Sequence, residues 1–99
     1  MIPRRHVEMI FDLSDDETTE LASMVTTASR VMRDCLDPDG IVVVQRNGLD
    51  AEQSVPHVHF HVIPRRAGTP WPPTTWIETT PQDERQALAA ELARHWPAP

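Results

Sequence analysis

The most informative segment of this chain reads His57-Val58-His59-Phe60-His61-Val62-Ile63, in which histidine occupies every second position up to His61. Successive side chains of a β-strand point to opposite faces of the sheet. A strand over residues 56–63 would therefore place the three imidazoles on one face and turn Val58, Phe60 and Val62 towards a core. Imidazole titrates near neutral pH and serves as a nucleophile, a general acid or base, or a metal ligand. The segment thus predicts a strand that carries reactive groups on one face.

One long helix is predicted before this strand. Ser14 and Glu17 are spaced as a capping box. In this motif the serine hydroxyl accepts from the glutamate amide, and the glutamate carboxylate accepts from the serine amide. We expect the helix to run from about Asp15 to Leu36, because the turn-forming residues 37–40 follow it. Its apolar stripe, at steps of three and four residues, consists of Leu21, Met24, Val25, Ala28, Met32, Cys35 and Leu36.

Two further elements complete the predicted fold. The β-branched residues 41–45 predict a strand, and the polar loop 47–55 is short enough to join it to the histidine strand in antiparallel fashion. Residues 67–80 are rich in Pro, Thr and Trp and predict a surface arm or a linker, while residues 81–96 predict a helix that opens at Pro81. The chain is therefore predicted to be α+β, with an antiparallel sheet, one long packed helix and a C-terminal helix.

Composition narrows the class of protein. The 99 residues suffice for one small domain, and the net charge of -6 without a basic stripe argues against a nucleic acid polymer as partner. No segment has the length or apolar character of a membrane span or a signal peptide, so no membrane partner is expected. The single cysteine, Cys35, excludes an internal disulfide and fits a cytoplasmic location. On the helical stripe, this cysteine is expected to act as a small hydrophobic residue.

The alternating pattern resembles the signature of the histidine-triad (HIT) family of nucleotide hydrolases and transferases. Three further segments carry the resemblance: Ile2-Pro3-Arg4-Arg5-His6-Val7-Glu8, the loop with Asn47-Gly48 and Gln53-Ser54-Val55, and Trp71-Pro72-Pro73. It assigns residues 1–66 to a partial HIT-like domain. Family members carry a further stretch before the Ile-Pro-x-x-His motif, which supplies strands, a helix and much of the base and ribose pocket. The chain is thus similar to an N-terminally truncated member.

The resemblance implies a catalytic mechanism. The middle histidine of the family attacks the α-phosphorus and forms a nucleotidyl-histidine intermediate, which assigns the nucleophile to His59. His57 and His61 would orient and polarise the site, and His6 would join the cluster from a neighbouring strand. The expected substrates are nucleoside phosphoramidates or dinucleoside polyphosphates, with no metal and no cofactor. A homodimer is expected from the family, and an exposed sheet edge gives a physical reason for association.

Substrate binding is expected to involve the loop before the triad. The resemblance assigns phosphate or ribose contacts to Asn47, Gln53 and Ser54, although each alone would more often satisfy its own backbone. Glu52 stands where the family usually has glycine, which tolerates positive φ and lets amides approach a phosphate. A negative charge at this position should weaken anion binding.

Three residues outside the loop allow two interpretations each, and a fourth is expected to have no part in catalysis. Trp71 could reach a partner's site in a dimer, or it could pin the arm to the body. Arg65 and Arg66 could attract phosphates or could be ordinary solvated surface charges. His95 is expected to complement the charge at a helix C-terminus and to have no catalytic role.

Three alternatives to a hydrolase remain open at the level of sequence. The histidines could form a solvated strand face, or two of them could bind zinc with His61 or His6 as third ligand. Against zinc, the triad histidines spread over roughly 13 Å along a strand, and no carboxylate is close in sequence to a suitable pair. The third alternative is a truncated, catalytically weak nucleotide-binding or interaction remnant, which the short N-terminus and Glu52 favour.

Overall fold

The computed structural model describes residues 1–69 and 82–97. These residues form two helices, α1 (Asp15–Leu36) and α2 (Gln82–His95), and two strands, β1 (Gly40–Gln45) and β2 (Phe60–Arg65). Short 3-10 turns at Ile10–Asp12 and Leu49–Ala51 precede α1 and follow β1. The predicted α+β class, with an antiparallel sheet, one long helix and a C-terminal helix, is confirmed.

Local side-chain chemistry sets the start of α1. The Ser14 hydroxyl accepts from the Glu17 amide at 3.1 Å, and the Glu17 carboxylate accepts from the Ser14 amide at 2.9 Å. The predicted capping box is therefore present. Arg5 donates to the same carboxylate at 2.7 Å, and this bond, followed by the one to Ser14, lowers the pKa of Glu17 to about 2. The N-terminal segment is thereby tied to the first turn of α1.

The other end of α1 is also capped. Asp37 takes a left-handed conformation with φ 45°, and its amide donates to the Arg33 carbonyl at 3.1 Å. The Arg66 guanidinium donates to the Leu36 and Asp37 carbonyls, which have no partner within the helix. A positive charge at a helix C-terminus is also favourable to the helix dipole. Arg66 therefore has a structural role at the α1–β1 connection.

The sheet is an antiparallel pair in which Gly40 lies opposite Arg65 and Gln45 lies opposite Phe60. Pro64 lies within β2, opposite Ile41. Proline has no amide to donate and is tolerated where a strand has an open edge. In this two-stranded sheet of the described residues, each strand has one open edge.

The triad strand begins later and ends later than predicted. The ladder covers Phe60–Arg65 rather than residues 56–63, so only His61 of the triad lies in it. The reason is register, because β1 ends at Gln45 opposite Phe60 and offers no partner to residues 57–59. At the other end the ladder continues to Arg65 because Gly40 still lies opposite.

The segment Met1–Val7 takes the place of a strand partner beside the first triad residues. Met1 and Phe60 exchange two backbone hydrogen bonds, at 2.8 and 2.9 Å. The Val58 amide donates to the Val7 carbonyl at 2.6 Å. The predicted neighbouring strand around His6 is therefore an irregular segment that is held at both ends.

The core lies between α1, the segment Met1–Val7 and the triad segment around Val58. Its buried apolar side chains are Val7, Leu21, Ala28, Val31 and Val58, of which Val58 is fully buried. Phe60 and Val62, which were expected in the core, are half-buried. On α1, the predicted stripe omitted Val31 and wrongly included Met24, which is 41% exposed.

Helix α2 packs against α1. Burial raises the pKa of the Cys35 thiol, and Glu91 of α2 adds to this effect, so the thiol stays protonated at neutral pH. Residue 81, most of the predicted arm and Trp71 lie outside the described residues. Among the helices of the described ranges, none has the length and hydropathy needed to cross a membrane.

Candidate active site

The backbone fixes the tautomer of His59. Its Nδ1 lies 2.8 Å from the carbonyl oxygen of His57. A carbonyl can only accept, so Nδ1 carries the proton and donates it. In a neutral imidazole the lone pair then belongs to Nε2. His59 therefore has one nitrogen held as donor and the other prepared for attack, as a nucleophilic imidazole requires.

His57 and His6 form a second pair. Their Nδ1 atoms lie 3.1 Å apart, and the rings meet edge to face with centroids 4.9 Å apart. One of the two must donate. His57 Nε2 is buried and has no hydrogen-bond partner among the described residues. A buried lone pair without a partner costs less than a buried N–H, so we assign the shared proton to His57 Nδ1.

His61 contacts His59 on the other side. The two rings are almost perpendicular, at 87°, and their centroids lie 4.8 Å apart. The pKa of His61 is lowered, first by burial and then by the positive charge of His59, the N-terminal ammonium and Arg46. His61 is therefore protonated to a smaller extent than a free imidazole at the same pH. The four histidines singled out by sequence form one contiguous cluster.

Gln53 braces the loop before the triad. Its side chain is buried, accepts from the Gly48 amide at 2.6 Å and donates to the Glu8 carbonyl at 2.7 Å. Gly48 has φ 90°, a conformation that glycine adopts without strain. Gln53 therefore joins two segments that are 45 residues apart in the chain. Only one hydrogen of its amide remains for a substrate in this arrangement.

Asn47 is likewise engaged within the protein. Its Oδ1 accepts from the Ile10 amide at 2.7 Å and from the Gln45 side chain at 2.9 Å, while its Nδ2 donates to Gln45. Ser54 is exposed. The assignment of Asn47, Gln53 and Ser54 to substrate stays a prediction, and for the first two it would require shared or exchanged hydrogen bonds.

Glu52 takes the left-handed conformation that the family's glycine would suit, with φ 66°. Its carboxylate lies 2.8 Å from the Arg46 guanidinium. The sequence predicts the effect of the Glu52 charge but carries no local pattern for its ion pair with Arg46.

Other candidates lie away from this cluster. Arg65 is separated from His59 by the length of β2, roughly 20 Å at the rise of a strand, and donates to the Thr69 carbonyl. The phosphate interpretation of Arg65 and Arg66 is therefore not supported by their position. In the part of the chain that the structure describes, no three His, Cys, Asp or Glu side chains are arranged as a metal site.

Known proteins match the region that carries this cluster. The sequence model of the HIT domain matches residues 1–68. An adenosine 5'-monophosphoramidase of Candida albicans is 31% identical over an alignment of 107 positions, gaps included, which covers 95% of this chain and 68% of that protein. The bis(5'-adenosyl)-triphosphatase of Dictyostelium discoideum is 38% identical over 64 residues, which cover 65% of this chain and 43% of that enzyme. The chain spans about half the length of most curated relatives it matches.

The fold matches solved structures as well. A Hit-like protein of Bartonella henselae superimposes with a TM-score of 0.83 at 26% identity, over 95% of this chain and 67% of that one. The domain match covers more than half of the chain and includes His6, His57, His59 and His61. The chain therefore belongs to the histidine-triad (HIT) family.

Proposed function

We propose that this protein is a nucleotide hydrolase or transferase that acts at the α-phosphate through a nucleotidyl intermediate on His59. The observation that supports this most is the 2.8 Å contact between His59 Nδ1 and the His57 carbonyl, which leaves the Nε2 lone pair for phosphorus. The substrates we propose are nucleoside phosphoramidates or dinucleoside polyphosphates. Relatives named as a monophosphoramidase and as a triphosphatase support both substrate types.

The reaction has two steps. In the first, His59 Nε2 forms a bond to the α-phosphorus, and the bond to the leaving nitrogen or bridging oxygen breaks with its electron pair going to that atom, which takes up a proton. In the second, water attacks the phosphorus and the bond from phosphorus to Nε2 breaks. The water releases one proton, which replaces the proton taken up by the leaving group in the first step. The products are a nucleoside monophosphate, the leaving group and the original imidazole.

The neighbouring histidines have separate proposed roles. His57 orients His59 through its backbone carbonyl, and His6 holds the His57 ring through the contact between their Nδ1 atoms. His61 lies against the His59 ring and can donate to phosphate oxygens from a neutral state. His57, His61 and His6 thus position and assist the nucleophile, and Asn47, Gln53 and Ser54 are proposed to assist in binding substrate.

Hydrolysis of adenosine 5'-phosphoramidate tests the proposal. We expect the wild-type chain to turn it over and the His59→Ala variant to lose roughly a thousandfold or more of that rate. The matched control is His95→Ala, since His95 lies on α2 and its ring contacts the Glu91 carbonyl of its own helix. Equal rates for the wild type and the His59→Ala variant would contradict the proposal.

A second candidate is a nucleotide-binding or interaction remnant of the same fold. The exposed charge of Glu52 and the internal bonding of Asn47 favour it, because both reduce what the loop offers to a phosphate. A folded protein that binds AMP in a calorimeter but shows no turnover of phosphoramidate or polyphosphate would support this candidate over the hydrolase.

We also propose a homodimer in the cytoplasm. Val43, in the middle of β1, is 47% exposed, and an open strand edge with exposed apolar side chains favours association with another chain. Sedimentation equilibrium measures the assembly directly, and a monomer at micromolar concentration would contradict it. The single thiol, Cys35, supports this location, since it suits a reducing compartment.

A further inference from the structure

Two side chains of the loop before the triad hold the backbone of the N-terminal segment. The Gln53 Nε2 donates to the Glu8 carbonyl at 2.7 Å, and the Asn47 Oδ1 accepts from the Ile10 amide, also at 2.7 Å. Met9, the residue between these two backbone groups, is extended, with φ -131° and ψ 157°. In an extended backbone the carbonyl before a residue and the amide after it point to the same side, so one neighbour can bond both. The two side chains therefore take the place of a neighbouring strand.

The hold by Gln53 is internal to the protein. Gln53 is only 6% exposed, and its Oε1 accepts from the Gly48 amide at 2.6 Å. Turning this side chain away would leave its buried polar atoms without partners, which is costly. On the other side of His6, Arg5 is bonded to Glu17 of α1 at 2.7 Å. The segment is thus held by α1 before His6 and by the loop after it.

The held backbone leads directly to the His6 ring. The Val7 carbonyl accepts from the Val58 amide at 2.6 Å, and the neighbouring His6 places its Nδ1 3.1 Å from Nδ1 of His57. Among the described residues, the exposed His6 ring has no other hydrogen bond. A displacement of about 0.5 Å would take this contact beyond hydrogen-bond range. The contact between the two rings therefore depends on the backbone that follows His6.

We propose that Gln53 and Asn47 are positioning residues for the reaction, beside their proposed contribution to substrate binding. By holding the backbone after His6, they keep its ring on Nδ1 of His57. This inference rests on the proposed function. Released from His6, the His57 ring loses the acceptor of its Nδ1 proton and can rotate next to the nucleophile, His59. The fraction of molecules with a site ready for attack then falls, which lowers kcat.

The first test needs no turnover. The ¹⁵N chemical shift of His57 Nδ1 is measured by NMR at pH 8, and the His6→Ala variant gives the value for a ring without its partner. We expect Gln53→Met and Asn47→Leu, which remove the bonds to the segment, to move this shift towards the value in His6→Ala. A shift that stays at the wild-type value in both variants would overturn the inference.

A conservative variant and a control sharpen this test. Asn47→Asp keeps an oxygen that accepts from the Ile10 amide, so we expect the wild-type shift of His57 Nδ1. A change as large as that in Asn47→Leu would overturn the role of this bond. The control is Ser29→Ala, which removes another partly buried hydrogen bond, 2.8 Å to the Val25 carbonyl within α1, and should leave the shift unchanged.

The second test is a double-mutant cycle on the turnover of adenosine 5'-phosphoramidate. We expect Gln53→Met to lower kcat about 10- to 100-fold in the wild type. In the His6→Ala background the further loss should be less than about twofold, because no ring is left to position. Bonds from Gln53 to the substrate affect KM in both backgrounds.

The cycle separates the two proposals. An equal fold-loss of kcat in both backgrounds would show that Gln53 acts independently of His6, which would overturn the inference and leave the hydrolase intact. If the wild type shows no turnover, the proposed function fails, and the shift of His57 Nδ1 still decides whether Gln53 and Asn47 position the His6 ring.

Discussion

Single residues determine the chemistry of the cluster through the hydrogen bonds of the His6, His57 and His59 rings. The tautomer of His59 is fixed by the His57 backbone carbonyl, and the tautomer of His57 is fixed by the Nδ1 of His6. The alternation of histidines indicated a shared face but could not indicate these tautomers. Tautomers depend on which acceptor lies within 3 Å or so of each nitrogen, and that is a property of the folded chain.

At the same scale, His61 should titrate below the ordinary value of 6.5, because its burial and the nearby positive charges disfavour the protonated ring. The unfolded chain then binds a proton more readily than the folded chain between the lowered pKa and 6.5. The contribution of His61 to the unfolding free energy is thus complete above 6.5 and is lost as the pH falls through that window. A proton NMR titration of the His61 ring measures its pKa, and a midpoint above 6.5 would contradict the predicted direction of the shift.

Gln53 gives a second prediction for a single side chain. Gln53→Ala should lower the unfolding free energy by about 1–3 kcal/mol, because the partly buried hydrogen bonds of the Gln53 side chain to the Gly48 amide and the Glu8 carbonyl are lost. The neighbouring Ser54 is exposed, so Ser54→Ala should change the unfolding free energy by less than about 0.5 kcal/mol. Urea unfolding of both variants is the measurement. Equal unfolding free energies for the two variants would show that the hydrogen bonds of Gln53 are not needed for stability.

Among the elements, α1 could be predicted almost to the residue, since its capping box and its stop signals are local in sequence. The bounds of β2 could not, because a strand extends only as far as its partner, and Gln45 ends that partner opposite Phe60. The bonds from Asn47 to Ile10 and from Gln53 to Glu8 were beyond sequence reasoning for the same reason. They join segments brought together by the fold and leave no local pattern.

The cap of α1 is a testable feature of an element. Ser14→Ala should cost about 1 kcal/mol of unfolding free energy, because the Glu17 amide loses its acceptor and Glu17 loses part of its orientation. Ser23→Ala is the control, since Ser23 is exposed within the same helix and alanine is the better helix former. Thermal unfolding measures both. A loss in Ser23→Ala as large as that in Ser14→Ala would contradict the role of the cap.

For the whole molecule, stability depends on a small core that joins α1 to the segments flanking the site. Val58 belongs to the triad segment and is fully buried, whereas Val43 on β1 is 47% exposed. Val58→Ala should therefore cost about 2 kcal/mol, and Val43→Ala much less. Denaturant unfolding of this matched pair is the measurement. Equal losses in the two variants would place the core elsewhere.

The same core explains how the fold supports the site. Because Val58 lies between His57 and His59, burying it fixes the backbone on both sides, including the carbonyl that orients His59. Sequence alternation predicted that Val58 would be buried, and the structure confirms it. The contribution of Met1–Val7, which pairs with Val58 and Phe60 without forming a strand, was not foreseeable from local pattern.

The most direct test of the central claim is to trap the intermediate. The chain is mixed with adenosine 5'-phosphoramidate, quenched in base within one turnover, digested and analysed by mass spectrometry. We predict an adenylyl group on the peptide that contains residues 57–61, located on His59 and absent from the His59→Ala variant. An adenylyl group on another residue, or turnover without any covalent adduct, would contradict the assignment of His59 as the nucleophile.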